Sequence, residues 1–181
     1  MILLIITSRK VVFSMIKRRQ FLILGSIMGL SPYIQAKEMN AFTKEFQQVK
    51  TTIEAVQRHM FPAGSKLPSA MNMNTTQFLF ETITHKSFDK DIKVFVLEGA
   101  KELKSREKGK FVSMTEKEKE KALRGYEETS YGSSWLSRIM TLTMEGLFSD
   151  PIYGSNFKET GWKSINAFGG FPRPKTKYMD S

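Results

Sequence analysis

The sequence contains no cysteine, only two histidines and two tryptophans, and no alternating run of apolar and polar residues long enough for a β-strand. The lack of cysteine excludes disulfide bonds, thiolate metal sites, a cysteine nucleophile, covalently attached haem and a lipoprotein anchor. The histidines, His59 and His85, have no second histidine at metal-ligand spacing. A helix end or an exposed surface is the commoner place for each of them.

Catalytic patterns are also scarce. Glu145 and Asp150 could form a pair of carboxylates for acid–base chemistry, but Asp150 precedes a proline, a position typical of a turn or cap. The stretches "GSN" and "FGGF" lack the strand–turn–helix context of a phosphate-binding loop. The sequence therefore predicts no catalytic, cofactor-binding or metal-binding residue in this chain.

The positive charge is concentrated at the N-terminus. The 28 basic and 18 acidic residues give a net charge of +10, but residues 1–36 hold five of the basic residues and no acidic one. In the remainder, lysines alternate with glutamates, as in "KELKSREKGK" and "TEKEKEK". Such mixtures are typical of a solvated helix face, and we expect no nucleic-acid partner.

The N-terminal segment resembles a twin-arginine export signal, a motif that a receptor recognises. The residues that carry this resemblance are Arg18, Arg19, Phe21 and Leu22. The uncharged run 21–30 would span about 15 Å as a helix, whereas a bilayer core needs about 20 apolar residues. The run therefore fits the apolar region of a signal.

We predict that residues 1–36 form this signal, with Ala36 before the cleavage site and with Met15 as an alternative start. The competing interpretations are an uncleaved membrane anchor and a buried core helix. Residues 37–181 then form a single domain, and the predicted location is the periplasm.

The spacing of apolar residues predicts helices. Between residues 40 and 60 the apolar positions recur every three or four residues, which predicts an amphipathic helix, with Asn40 as its N-cap. These apolar positions are Phe42, Phe46, Val49, Ile53, Val56 and Met60. Two further helices are predicted from Asn74 or Thr75 and from about Asp89, followed by a charged connection, 104–110.

A capping-box pattern at Thr115 and Glu118 predicts a fourth helix, and Ser133 or Ser134 a cap for the fifth. The predicted fold is all-α: a small bundle of about five helices with an irregular C-terminal arm, 145–181. Glycine, proline and aromatic residues are dense in this arm. Its aromatic side chains either pack on their own domain or form a surface for a partner.

The stretch "EGLFSDPIYGSN", residues 145–156, followed by Gly161 and Trp162, resembles the signature of the gluconate 2-dehydrogenase subunit 3 family, roughly E-G-x-F-x-D-P-x-Y-G-G-N and then G-W. Ser155 stands where the family has its second glycine. The residues after Trp162 also depart from the family, which often continues quickly into G-F-P-G.

The resemblance implies a non-catalytic small subunit of a periplasmic, flavin-dependent gluconate or sugar dehydrogenase complex. FAD is expected in the large partner subunit, and a cytochrome c subunit is a further partner in some complexes. The small subunit would bind the folded flavin subunit, carry it through the twin-arginine translocase and remain membrane-associated through the complex. Gluconate, glucose, fructose and related polyols are all compatible substrates.

We predict partner contact or arm closure for eight residues of the arm: Glu145, Asp150, Pro151, Tyr153, Gly154, Asn156, Gly161 and Trp162. Two alternatives are a stand-alone exported helical binding or chaperone module, and a membrane-anchored structural protein.

Overall fold

The computed structural model describes residues 31–178, with side chains from Met39 onward. The predicted signal residues Arg18, Arg19, Phe21 and Leu22 and the alternative start Met15 lie outside this range, and Ala36 precedes the described side chains. Within the range there are six α-helices and no strand, so the prediction of an all-α fold is confirmed. The helices are α1 (Ser31–Met60), α2 (Thr75–Thr84), α3 (Lys90–Arg106), α4 (Glu116–Glu127), α5 (Ser130–Phe148) and α6 (Thr160–Ser164).

Helix α1 starts earlier than predicted. Asn40 lies inside it, so the predicted N-cap at Asn40 is wrong. Pro32 lies in the first turn, where a proline costs no intrahelical hydrogen bond. The predicted apolar stripe is confirmed, since Phe46 and Ile53 are almost completely buried in the core. None of the described helices is both long enough and apolar enough to cross a membrane.

The N-termini of the other helices follow local capping rules only in part. The capping box at Thr115 is confirmed: its side chain accepts from the Glu118 N–H, and the Glu118 carboxylate accepts from the Thr115 N–H. The predicted cap at Ser133 or Ser134 is wrong. Thr129 caps α5 instead, and its hydroxyl accepts from the Gly132 N–H.

The charged connection after α3 is also shorter than predicted. Helix α3 continues to Arg106, and the Lys104 ammonium donates to the Gln48 carbonyl of α1 at 2.8 Å.

Residues from Ala41 onward form one compact unit, and α5 lies at its centre, packed against α2, α3 and α4. Trp135 of α5 is completely buried, and its Nε1 donates to the Val96 carbonyl of α3 at 3.0 Å. Gly99 allows this approach, because a Cβ there would lie 2.0 Å from Trp135 Cδ1. The Tyr126 hydroxyl of α4 donates to the Gly99 carbonyl at 3.2 Å. These contacts fix α5 as the platform on which the C-terminal arm begins.

A buried polar cluster joins α1, α2 and α5. Gln57 of α1 donates through Nε2 to Thr143 Oγ1 at 2.9 Å and accepts at Oε1 from the Thr76 hydroxyl at 2.6 Å. Thr143 in turn donates to the Ile139 carbonyl at 2.6 Å. Because buried polar groups are costly only when unpaired, this satisfied cluster is compatible with a stable core.

Candidate partner-binding arm

The arm begins as the last turn of α5. Glu145 lies within this helix, and the chain leaves it only after Phe148, so the irregular part starts later than predicted. Asp150 has extended backbone angles (φ −64°, ψ 135°), as expected for a residue before a proline. Its Oδ1 accepts from the Ile152 N–H at 3.0 Å. Pro151–Tyr153 then form a short 3-10 helix.

Asn156 ties the two ends of the arm's first loop together. The residue is completely buried and has a left-handed backbone (φ 49°). Its Nδ2 donates to the Ser149 carbonyl at 2.7 Å, and its Oδ1 accepts from the Gly161 N–H at 2.7 Å. One side chain therefore links the residue just after α5 to the first turn of α6.

Small residues are required around this link. A Cβ at Gly161 would lie 1.9 Å from the Leu147 carbonyl oxygen, so only glycine permits the contact between α5 and α6. Positive φ occurs at Gly154 (80°) and Asn156 (49°) but not at Ser155 between them. Serine at this point of departure from the family pattern is thus unstrained, and its buried hydroxyl forms a 2.7 Å hydrogen bond with the Ser149 hydroxyl.

Trp162 closes the arm over the end of α5. It is partly buried, and its Nε1 donates to the Phe148 carbonyl at 2.7 Å. The Arg173 guanidinium carbon lies 4.4 Å from the centre of the Trp162 ring. The same guanidinium pairs with Asp150 at 3.4 Å and with Glu159 at 2.9 Å. Trp162 and Asp150 are therefore both engaged within this chain, and their contact with a partner stays a prediction.

Tyr153 and Glu145 border a shallow groove of about 440 Å³ between α2 and the arm. The Tyr153 hydroxyl accepts from the Tyr178 N–H at 3.2 Å. Partial desolvation in this apolar setting raises the pKa of the Glu145 carboxyl above its ordinary value. The groove is lined by Phe78, Thr82, Glu145, Phe148, Ser149, Asp150 and Tyr153.

The arm also carries a set of exposed apolar residues that the sequence did not predict as contact residues. Ile165, Phe168 and Phe171 are 51%, 64% and 82% exposed. The rings of Phe168 and Phe171 form an edge-to-face pair with centroids 5.1 Å apart. The "FGGFP" stretch was the available signal, but its glycines indicated only a loop.

The histidines and the remaining carboxylates form structural contacts. His59 of α1 forms hydrogen bonds with Glu116 at 2.7 Å and Glu120 at 2.8 Å of α4. Hydrogen bonds from Lys119 and then from His59 lower the pKa of Glu116 to about 2. His85 forms a 2.7 Å hydrogen bond with the Ser87 hydroxyl. Among the described residues, no group of three acidic or histidine side chains could hold a metal ion.

The arm is thus held closed against the end of α5 by Asn156, Gly161 and Trp162. Searches of curated proteins and of solved structures returned no match. The family model described as "Gluconate 2-dehydrogenase subunit 3" matches residues 47–170, a span that begins within α1 and contains helices α2 to α6 and the arm through Gly170. The chain belongs to the gluconate 2-dehydrogenase subunit 3 family.

Proposed function

We propose that this chain is the non-catalytic small subunit of a periplasmic, flavin-dependent gluconate or sugar dehydrogenase complex. It binds the folded FAD-containing subunit and accompanies it through the twin-arginine route. The observation that carries the proposal is the family match over residues 47–170, whose description is that of a dehydrogenase subunit and whose span covers most of the helical unit and the arm through Gly170.

A binding role, as opposed to a catalytic one, is supported by how the polar side chains of the arm are used. Asp150 accepts a backbone hydrogen bond and pairs with Arg173. Both polar atoms of the Asn156 side chain form hydrogen bonds with backbone groups. A catalytic acid or base must reach a substrate proton, and these groups are already engaged in holding the arm closed.

The export role is supported by the N-terminal sequence. Arg18 and Arg19 followed by Phe21 and Leu22 resemble a signal that carries proteins after they have folded. A folded flavin subunit without its own signal could pass through this route when bound to a carrier that has one.

The association is tested by expressing the full chain with its neighbouring genes, carrying a C-terminal tag on a flexible linker. We expect a flavoprotein to co-purify in about equal amounts, recognised by its flavin absorbance. A colourless, solitary helical protein would refute the complex and favour a stand-alone exported module.

The export step is tested separately by replacing both arginines, Arg18→Lys and Arg19→Lys. We expect the flavin subunit to remain in the cytoplasm, because the receptor no longer recognises the signal. The N-terminus of the exported chain is then sequenced. Lys37 as the first residue supports cleavage after Ala36, whereas an intact N-terminus supports a membrane anchor.

A further inference from the structure

The aromatic residues of the arm fall into two layers with different surroundings. Trp162 belongs to the inner layer: its Nε1 is bonded to the Phe148 carbonyl and Arg173 stacks on its ring. A Cβ at Gly169 would lie 2.4 Å from the Trp162 ring, so the backbone itself covers part of this side chain. A partner could reach the buried part of the Trp162 side chain only by displacing these contacts.

The outer layer is the arm tip, which we define as residues 165–171. Among the phenylalanines of residues 39–178, the exposed ones are Phe157, Phe168 and Phe171, and all three lie in the arm. Phe168 and Phe171 are paired edge to face at the tip. Single exposed apolar residues are common on proteins, but a cluster of large ones marks an interaction site.

The arm tip is held in place before any partner binds. The Ala167 N–H donates to the Trp162 carbonyl at 2.8 Å, and the Ile165 N–H donates to the same carbonyl at 3.1 Å. On the far side of the tip, Arg173 bonds to Glu159 at 2.9 Å. Because binding costs free energy for every segment that must be ordered, a tip fixed at both ends is well suited to dock as a rigid body.

The charges around the tip indicate the kind of surface it fits. Residues 157–178 hold five basic residues and one acidic residue, a net charge of +4. Lys163 and Lys175 are exposed and make no salt bridge to a carboxylate of the described chain. Complementary potentials favour an acidic rim on the partner and speed the encounter between the two.

We propose that the arm tip is the docking surface for the flavin subunit, with Phe168 and Phe171 inserted into an apolar pocket that has an acidic rim. This inference rests on the proposed function, because it assigns the surface through which the small subunit holds that partner. Trp162 and Asn156 act behind it, as the support that fixes the tip.

The test compares two double variants of the full chain, each co-expressed with the neighbouring genes. The tip variant, Phe168→Ala with Phe171→Ala, removes the two aromatic side chains of the arm tip. The control variant, Met71→Ala with Val94→Ala, removes two apolar side chains outside the arm that are also exposed, Met71 by 64% and Val94 by 57%. Because buried aromatic anchors dominate interface energies, we expect the tip variant to bind the co-purifying flavoprotein at least about 30-fold more weakly. The control variant should bind like the wild type, and both should melt at the wild-type temperature.

A charge test uses matched reversals. Lys163→Glu with Lys175→Glu should slow association with the flavoprotein at low salt and lose this effect at high salt. Lys66→Glu with Lys117→Glu makes the same change in net charge at exposed positions outside the arm and should have a smaller effect.

The outcomes separate this inference from the proposed function. If the wild type retains a flavoprotein and the tip variant retains it equally well, the docking surface is wrong while the subunit assignment stands. If the tip variant instead loses self-association in light scattering, or binding to anionic vesicles of phosphatidylcholine and phosphatidylglycerol, with flavoprotein binding intact, the tip serves another partner and the inference is overturned. If the wild type retains no flavoprotein, both fail.

Discussion

Replacing Asn156 by alanine is the sharpest test of how the arm is closed. The change removes the donor to the Ser149 carbonyl and the acceptor for the Gly161 N–H, each at 2.7 Å. Gly161 is buried, so its N–H finds no water in place of the lost partner. An unsatisfied buried polar group costs about 1–3 kcal/mol.

The backbone adds a second contribution. Asn156 has φ 49°, and a left-handed backbone costs an alanine about 1–2 kcal/mol more than the helical one, whereas asparagine tolerates it. Together with the cost of the unsatisfied Gly161 N–H, we expect Asn156→Ala to lower the free energy of unfolding by about 2–5 kcal/mol. Glycine avoids the backbone cost, so Asn156→Gly should lower the free energy of unfolding by about 1–2 kcal/mol less than Asn156→Ala does.

Asn166 provides the matched control. It also has a positive φ, 53°, but its side chain is exposed. Asn166→Ala should therefore show the backbone cost alone, about 1–2 kcal/mol. The assay is denaturant unfolding of the full chain, monitored by tryptophan fluorescence, together with hydrogen exchange of the Gly161 amide. If Asn156→Ala loses no more free energy than Asn166→Ala and the Gly161 amide keeps its protection, the hydrogen bonds of Asn156 do not close the arm.

Two further predictions concern the helical unit. Gly99→Ala should lower the free energy of unfolding by about 1–3 kcal/mol in denaturant titrations, because the new Cβ would lie 2.0 Å from buried Trp135. The control is Gly125→Ala in α4, where the nearest neighbour of the new Cβ is at 3.4 Å, and it should raise the free energy of unfolding by about 0.5–1 kcal/mol. Equal effects of the two substitutions would contradict the packing argument. The pKa of Glu116 is lowered from 4.5 to about 2, mainly by the hydrogen bond from Lys119. The ionised Glu116 side chain therefore stabilises the fold at pH values above its unfolded pKa. This contribution is lost as the pH falls from about 5 to 2. Glu116→Gln should therefore unfold more easily at pH 7, by less than about 1 kcal/mol because the Glu116 side chain is largely exposed to solvent. A difference in stability that persists at pH 2 would refute the assignment.

The helices were largely predictable because their signals are local. The spacing of apolar residues along α1 was enough to identify Phe46 and Ile53 as core residues. The four residues from Thr115 to Glu118 contain the whole capping box of α4. The errors occurred where several local signals compete. The stretch "TSYGSS", residues 129–134, offers several possible caps. The choice of Thr129 is fixed by packing, since a Cβ at Gly132 would lie 2.1 Å from the Tyr126 carbonyl oxygen.

The arm was less predictable, because its course depends on backbone angles that no periodicity reveals. Lys158 and Glu159 both have positive φ, 54° and 61°, although neither residue type favours it. These angles help to set which aromatic side chains turn inward. The sequence marked Trp162 as an aromatic anchor without showing whether it faced the domain or a partner, and the side chains left exposed, Phe168 and Phe171, were in a stretch recognised only as a loop.

The division into two layers also corresponds to where the chain resembles its family and where, after Trp162, it departs. The residues that carry the resemblance, Glu145 to Asn156 with Gly161 and Trp162, include those that hold the arm closed on α5. The departures after Trp162 lie in or beside the arm tip, where a change costs little folding energy because the side chains are exposed. A tip that differs between family members would let each small subunit match the pocket of its own flavin subunit. On this argument, exchanging residues 165–171 between family members should transfer partner choice while leaving the stability of the helical unit unchanged.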